Sequence, residues 1–371
     1  MRHPLLVLAA SMLLCASCVH EFPDGPDMPS PPATAEPVRL YRLTLRHDST
    51  LDLLGEFDYA SGETLSTRAE GPAEARKKHS IRYIINAYAE SRGEFTRSVD
   101  TTFTFLRDVE SGLDASFDIN MPDGSWKFIA WTDYTDEGSV SDKYYDTSDF
   151  TEIVLANRDT HFGSNQFREA FFGSAETAIS RAGVTSPDTV ILGESTIRME
   201  RPMARYTFIT TDLRRFIENE TSSARNNVAP SEVAAAPADA SGAPANAPAL
   251  RDYRVRFIYT RFMPCSFNAY TGKPADSWTG VAYESEIEKL SDDEARIGFD
   301  YVFVNGDRTA ATVGVEVLDR DGNLLARIPA FDVPLERSRH TIVKGEFLTT
   351  KSGGEMGINP DFDGEFNIEI K

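Results

Sequence analysis

The sequence predicts an all-β protein built as two tandem β-sandwich domains with minor short helices. Three observations carry this. Apolar and polar residues alternate with period two in many short runs from Val38 onward. Turn signals interrupt those runs about every eight to twelve residues. The length of 371 residues, at about 150 per domain, is enough for two separate cores.

The chain opens with an address rather than a fold. Arg2 and His3 precede an apolar run, Leu5–Leu14, and Ala16 and Ser17 stand immediately before Cys18. The run falls short of the ~20 apolar residues needed to span a ~30 Å hydrocarbon core, so it reads as a signal-peptide core. Residues 1–17 are expected to be removed and Cys18 to be acylated, as in a bacterial lipobox. The third residue before Cys18 is Cys15 instead of the usual Leu, and plain secretion after Ser17 is the alternative. Residues 18–37 carry six prolines and little apolar pattern, which predicts an extended tether between lipid and fold. Several acyl chains, at ~0.8 kcal/mol per buried CH₂, would hold the protein to a membrane.

The first domain is expected over residues 38–195. Val38, Leu40, Tyr41, Leu43 and Leu45 mark its first strand, Ile81–Tyr88 a second and Thr101–Leu106 a third. Phe117–Met121 alternates cleanly and meets Pro122-Asp123-Gly124, a turn sequence, before Ser125–Trp131. This reads as a β-hairpin whose turn and second arm are Pro122–Trp131. Gln166–Phe172 fits one helical turn or two. The domains are expected to join near Gly193–Ile197.

The second domain is expected over residues 196–371. Met203–Thr210 is a strand, and Asp212–Glu218 a short helix capped by Thr211 or Asp212. Residues 222–249 are mainly Ala, Pro, Ser and Asn. Such a segment buries too little apolar surface to offset chain entropy, so a disordered insert is expected. Strand patterns resume at Tyr253–Phe262, Phe299–Val304 and Ala311–Val317, and Asp319–Asn323 is a hairpin turn into Leu324–Ile328. The last run places Phe366, Ile368 and Ile370 on one face of a terminal strand.

Charge and composition exclude several functions. With 58 acidic against 38 basic side chains, the formal net charge is −20. A nucleic-acid binder neutralises phosphates with Lys and Arg, so no nucleic-acid partner is expected. Loss of residues 1–17 would leave 37 basic and 58 acidic side chains, a net charge of −21. Of three cysteines, two lie in the first eighteen residues, which argues against a disulfide scaffold or a Cys-based zinc site. Cys265 is expected to be a small buried hydrophobe. His20, His47, His79, His161 and His340 form no i,i+4 pair, and there is no nucleophile elbow, phosphate loop or dinucleotide fingerprint. No catalytic residue, cofactor or metal is expected, and His161, in a polar stretch, is placed on the surface. Asn359–Gly364 has oxygen ligands at alternate positions, like the front of a calcium loop. Ile370 stands where the bidentate Glu belongs, and a strand follows. A turn is the expected reading and an adventitious calcium site the alternative.

Four segments in order carry a family resemblance: CVHEFPD from Cys18, PDGSWKFIAWTD at Pro122–Asp133, RMERPMARY at Arg198–Tyr206, and VPLERSRHT at Val333–Thr341 followed by IVKGEFLT. Together the chain resembles Bacteroidales fimbrillin-like lipoproteins. The resemblance implies two tandem transthyretin-like, Greek-key β-sandwiches exported to the cell outer membrane and lipid-anchored at Cys18. It also implies a structural role in a fimbria-like assembly, as an anchor or accessory subunit that joins other fimbrillin-like subunits by strand addition. An unpaired sheet edge is a template for another chain's strand. The first strand, through Val38, Leu40, Leu43 and Leu45, and the last, through Phe366, Ile368 and Ile370, are the candidate exchange elements. Arg46 and Arg68 are candidate processing sites by position. The competing expectation is a surface lipoprotein that binds a host or glycan ligand, with Trp126, Trp131, Trp278, Tyr144 and Tyr145 as sugar-stacking candidates. An enzyme is the third class, without support from any nucleophile–base pair.

Overall fold

A computed structural model describes residues 39–58, 64–65, 78–184, 189–226, 249–306 and 308–350. It is all-β apart from one α-helix and short 3₁₀ turns. In the first sheet, Arg39–His47 is the middle strand, antiparallel to Ala115–Ile119 and parallel to Val190–Met199. In the second, His79–Ser91 lies between Gly124–Asp136 and Thr101–Asp108, and Phe171–Ile179 pairs with the far side of Gly124–Asp136, all antiparallel. The two sheets enclose one core, in which Tyr41, Leu43 and Leu45 meet Ile81, Tyr83, Ile85, Phe128 and Ile197.

The second sheet is covered on both faces. Ile84, Tyr88, Ile129 and Trp131 point the other way, into a second and larger core. Strands buried on two sides read as continuous apolar runs rather than alternating ones. That accounts for the near-unbroken burial along His79–Ser91 and Gly124–Asp136.

The larger core is closed by two further sheets. One orders its strands Glu288–Lys289, Ala295–Phe303, Met203–Thr210, Arg339–Gly345, Asp52–Asp58 and Thr64–Leu65; the other, Ala282–Ser285, Arg254–Tyr259, Thr309–Leu318 and Leu324–Leu335. The Asp319–Asn323 turn joins the last two strands as expected, with Gly322 at φ 82°. Cys265 is buried, also as expected.

Several expectations are corrected. Pro122–Trp131 is not the turn and arm of a hairpin. Residues 115–119 pair with 39–47 and residues 124–136 with 79–91 and 171–179, so the turn carries the chain between sheets. Alternation identifies two strands but not their partners; Trp126 Nε1 donates to Pro122 O (3.1 Å) and fastens the crossing. The 193–197 junction lies inside the Val190–Met199 strand, and Asp52–Asp58, assigned to the first domain, is hydrogen-bonded in the sheet of Arg339–Gly345. The helix runs Leu213–Asn226 and so takes in the first five residues of the segment expected to be disordered. Within the helix Ser222 Oγ bonds back one turn, donating to Glu218 O (2.8 Å). Residues 227–248 lie outside the described residues. Among the described residues, no helix is long and apolar enough to cross a membrane.

Candidate strand-exchange site

The strand Arg39–His47 is amphipathic by alternation, and its two faces do different work. Tyr41, Leu43, Leu45 and His47 point inward. Leu43 and Leu45 have no exposed surface. Tyr41 Oη lies 2.8 Å from both Thr177 Oγ1 and Ser195 Oγ, linking the strand to residues of two neighbouring strands. His47 is wedged edge-on between Tyr83 and Phe171, with Nε2 3.0 Å from Thr132 Oγ1. Burial pushes its pKa down to about 4 against the pull of Asp114.

The outward face forms a ladder with the Ala115–Ile119 strand and the residue before it. Arg42 donates to both carboxylate oxygens of Asp118 (2.7 and 2.9 Å), Thr44 Oγ1 meets Ser116 Oγ (2.9 Å), and Arg46 Nη1 donates to Asp114 (2.9 Å). The His47 amide also donates to Asp114 (2.8 Å). Exposed ion pairs of this kind add little, because water screens them and ordering two long side chains costs entropy. The inward residues hold the strand: burying a Leu or an aromatic is worth ~1.5–3 kcal/mol each.

Removing this strand would leave an apolar slot between strands 115–119 and 190–199, floored by Tyr83, Ile85, Phe128 and Ile197. At its end Arg46 is solvent-exposed, its side chain 63% accessible, beside a cavity of about 430 Å³ that it shares with Arg107, Asp114 and Phe117. Phe117 stacks on Phe105 (centroids 4.0 Å apart) and so joins the flanks of the two sheets. Among the exchange candidates, Leu40 is half-buried opposite Ile191, and Leu43 and Leu45 are core. Val38, Phe366, Ile368, Ile370, Arg68, Cys18 and residues 359–364 lie outside the described residues.

Four of the five sugar-stacking candidates are buried: Trp126, Trp131, Tyr144 and Tyr145. Their faces serve packing, as where Trp131 meets Tyr145 edge-on. Trp278 is half-buried against the larger core.

His161 is the clearest correction. It is buried, with Nε2 2.6 Å from Asp300 Oδ2 and 2.9 Å from Arg168 Nη1. Arg168 is salt-bridged to Asp300, which also accepts from Tyr259 Oη (2.7 Å), and Tyr206 Oη links Tyr259 to Tyr283 (2.9 and 3.1 Å). Burial, helped by the Arg168 charge, lowers the His161 pKa despite Asp300. Burial alone would raise the Asp300 pKa; Arg168 and His161 instead hold it at about 2. A second buried pair joins Arg82 to Asp133 (2.6 Å), with Arg82 also reaching Asp142 (2.7 Å). Neither cluster is marked by a motif in the sequence. The available signal was an ionisable residue inside an apolar strand: Arg82 in SIRYII, Asp133 after FIAWT and Asp300 in GFDYVFV.

The family of unknown function DUF6562 matches residues 46–371. There is no match among curated proteins. Among solved structures the chain is similar to the fimbrial anchor protein Mfa2 from Porphyromonas gingivalis, with 10% identity over 78% of this chain and 81% of that one and a TM-score of 0.35. It is similar to a candidate adhesin from Bacteroides ovatus, with 10% identity over 82% and 89% of the two chains and a TM-score of 0.36. A candidate polysaccharide-binding protein from Bacteroides thetaiotaomicron shares 11% identity over 78% and 80%, with a TM-score of 0.35.

Proposed function

We propose, for a chain that belongs to the DUF6562 family of unknown function, the role of an outer-membrane lipoprotein that anchors or accompanies a fimbria-like assembly. In this reading Cys18 carries the lipid, and other fimbrillin-like subunits join by strand addition. One observation carries it: the first strand sits in the middle of its sheet, with Leu43 and Leu45 fully buried. A lipid attached upstream of such a strand is mechanically tied to the fold. Residues 19–38 would span at most about 70 Å when extended, which bounds how far the fold stands off the bilayer. An anchor keeps this strand. A polymerising subunit would lose it by a cut near Arg46 and accept a neighbour's strand in the slot.

Mass spectrometry of the mature N-terminus from isolated membranes tests the reading. Acylated Cys18 followed by intact residues 19–46 is the anchor outcome. A new terminus at His47 reassigns the protein as a polymerising subunit, and an unacylated terminus removes the lipoprotein reading. Strand addition has its own test. Mixing the mature protein with fimbrillin-like subunits should give complexes that survive mild denaturant, and a monomer indifferent to all of them argues against assembly.

A further inference from the structure

We propose that the cavity of about 620 Å³ bordered by the Ala282–Ser285 strand binds a carboxylated sugar unit of an acidic polysaccharide. Its volume lies in the ~300–1,000 Å³ range of small-ligand sites. Two of its walls are preorganised. His161 and Tyr283 stand at opposite ends of the buried network that runs through Asp300, Tyr259 and Tyr206.

The polar groups of the cavity define the ligand. Arg158 is held by Thr279 O (3.3 Å). Arg256 is exposed on the neighbouring strand Arg254–Tyr259 and forms no ion pair among the described residues. Of the two glutamates opposite it, Glu316 is engaged by Arg327 and Glu284 lines the cavity. Two guanidinium groups suit a carboxylate, which they grip through paired N–H donors. Asp159 and Glu284, also on the wall, are acceptors for hydroxyl donors. An anion with several hydroxyl groups satisfies both sets. The Tyr283 ring offers no open face: it is stacked on Phe257 (centroids 4.9 Å apart) and is 4% accessible. Recognition therefore rests on charge and hydrogen bonds rather than on stacking against an apolar sugar face. The two arginines offset Asp159 and Glu284 on the same wall, so the lining is formally neutral in a chain of net charge −20.

Calorimetric titration of the full chain at physiological salt tests this, using tri-galacturonate and uncharged galactotriose as probes. The expected result is binding of the charged trimer and at least about tenfold weaker binding of the neutral one. Arg256→Ala should weaken tri-galacturonate binding by about tenfold or more. Its melting temperature should not change, since the side chain is exposed and unpaired; Arg158→Ala is the independent second variant. Equal binding of both trimers overturns the carboxylate assignment. No binding heat, or wild-type affinity in both variants, overturns the site.

Discussion

Burial decides what each charge does in this protein. Asp300 and Arg168 are an ion pair with almost no exposed surface, whereas Arg42 and Asp118 form a similar pair in water. Removing one partner of a buried pair strands the other charge in a poor solvent, a loss of ~3–5 kcal/mol. Asp300→Asn should therefore lower unfolding stability by that order, read from urea transitions, while Asp118→Asn should change it little. A loss for Asp300→Asn under ~1 kcal/mol would remove the network from the account of stability. The buried histidines add a pH dependence. Burial lowers the pKa of His47 to about 4 and that of His340, whose Nε2 contacts Thr207 Oγ1, to about 3. The unfolded chain takes up a proton near pH 6.5 and the native state only well below it. Stability is therefore complete above pH 6.5 and falls as pH drops through that value toward 4. At pH 5 the loss is ~2 kcal/mol per histidine. Asp300, with its pKa near 2, stays ionised throughout this window. Thermal melts at pH 7.5 and pH 5 should show the drop, and His47→Gln with His340→Gln should reduce it, leaving the share of buried His161.

At the level of elements, the Arg39–His47 strand shows how far local pattern reaches. Alternation placed Leu43 and Leu45 on one face, and that face is core. Alternation did not show that the strand lies between a parallel and an antiparallel neighbour, because both partners are far away in sequence. Its seat is apolar, so Leu43→Ala should cost ~2–5 kcal/mol and loosen the whole strand. Hydrogen exchange should then accelerate at the amides of residues 39–47 together. An effect confined to residue 43 would mean that the strand is held by its backbone and outer ladder instead. The Gln166–Phe172 segment resolves into a 3₁₀ turn at Gln166–Arg168 and the start of a strand. The turn is set by Asn165, whose side chain accepts from the Phe167 amide (2.9 Å). Either helical or extended backbone suits so short a stretch, and the tertiary partners of Phe171 decide between them.

Across the molecule, the two cores are stitched together rather than strung in line. Two of the crossings between them come after His47, where Asp52–Asp58 enters the second set of sheets, and at Glu200–Pro202. Arg201 pins both crossings. It pairs with Glu169 (2.6 Å) and donates to the carbonyls of Thr50 (2.5 Å) and Ser49 (2.7 Å). The sheet of residues 79–91 and 124–136 contributes side chains to both cores. One cooperative unfolding transition is expected, with calorimetric and van't Hoff enthalpies equal. Arg201→Ala should split it or broaden it; two transitions in the unaltered protein would mean that the cores are independent.

The sequence by itself determined the fold class, the inward face of the first strand, the Asp319–Asn323 turn and the burial of Cys265. Each follows from a local property: a period of two, turn chemistry, or an apolar side chain in an apolar strand. Tertiary structure alone decided which strands pair, where one core ends and the other begins, and what His161 does. The partner of His161 is Asp300, 139 residues away, and Arg168 reaches the same carboxylate across 132 residues. A polar stretch around His161 describes its neighbours along the chain. Its environment is set by strands that fold over it, and a low-dielectric interior turns an expected surface histidine into a neutral, hydrogen-bonded part of the core.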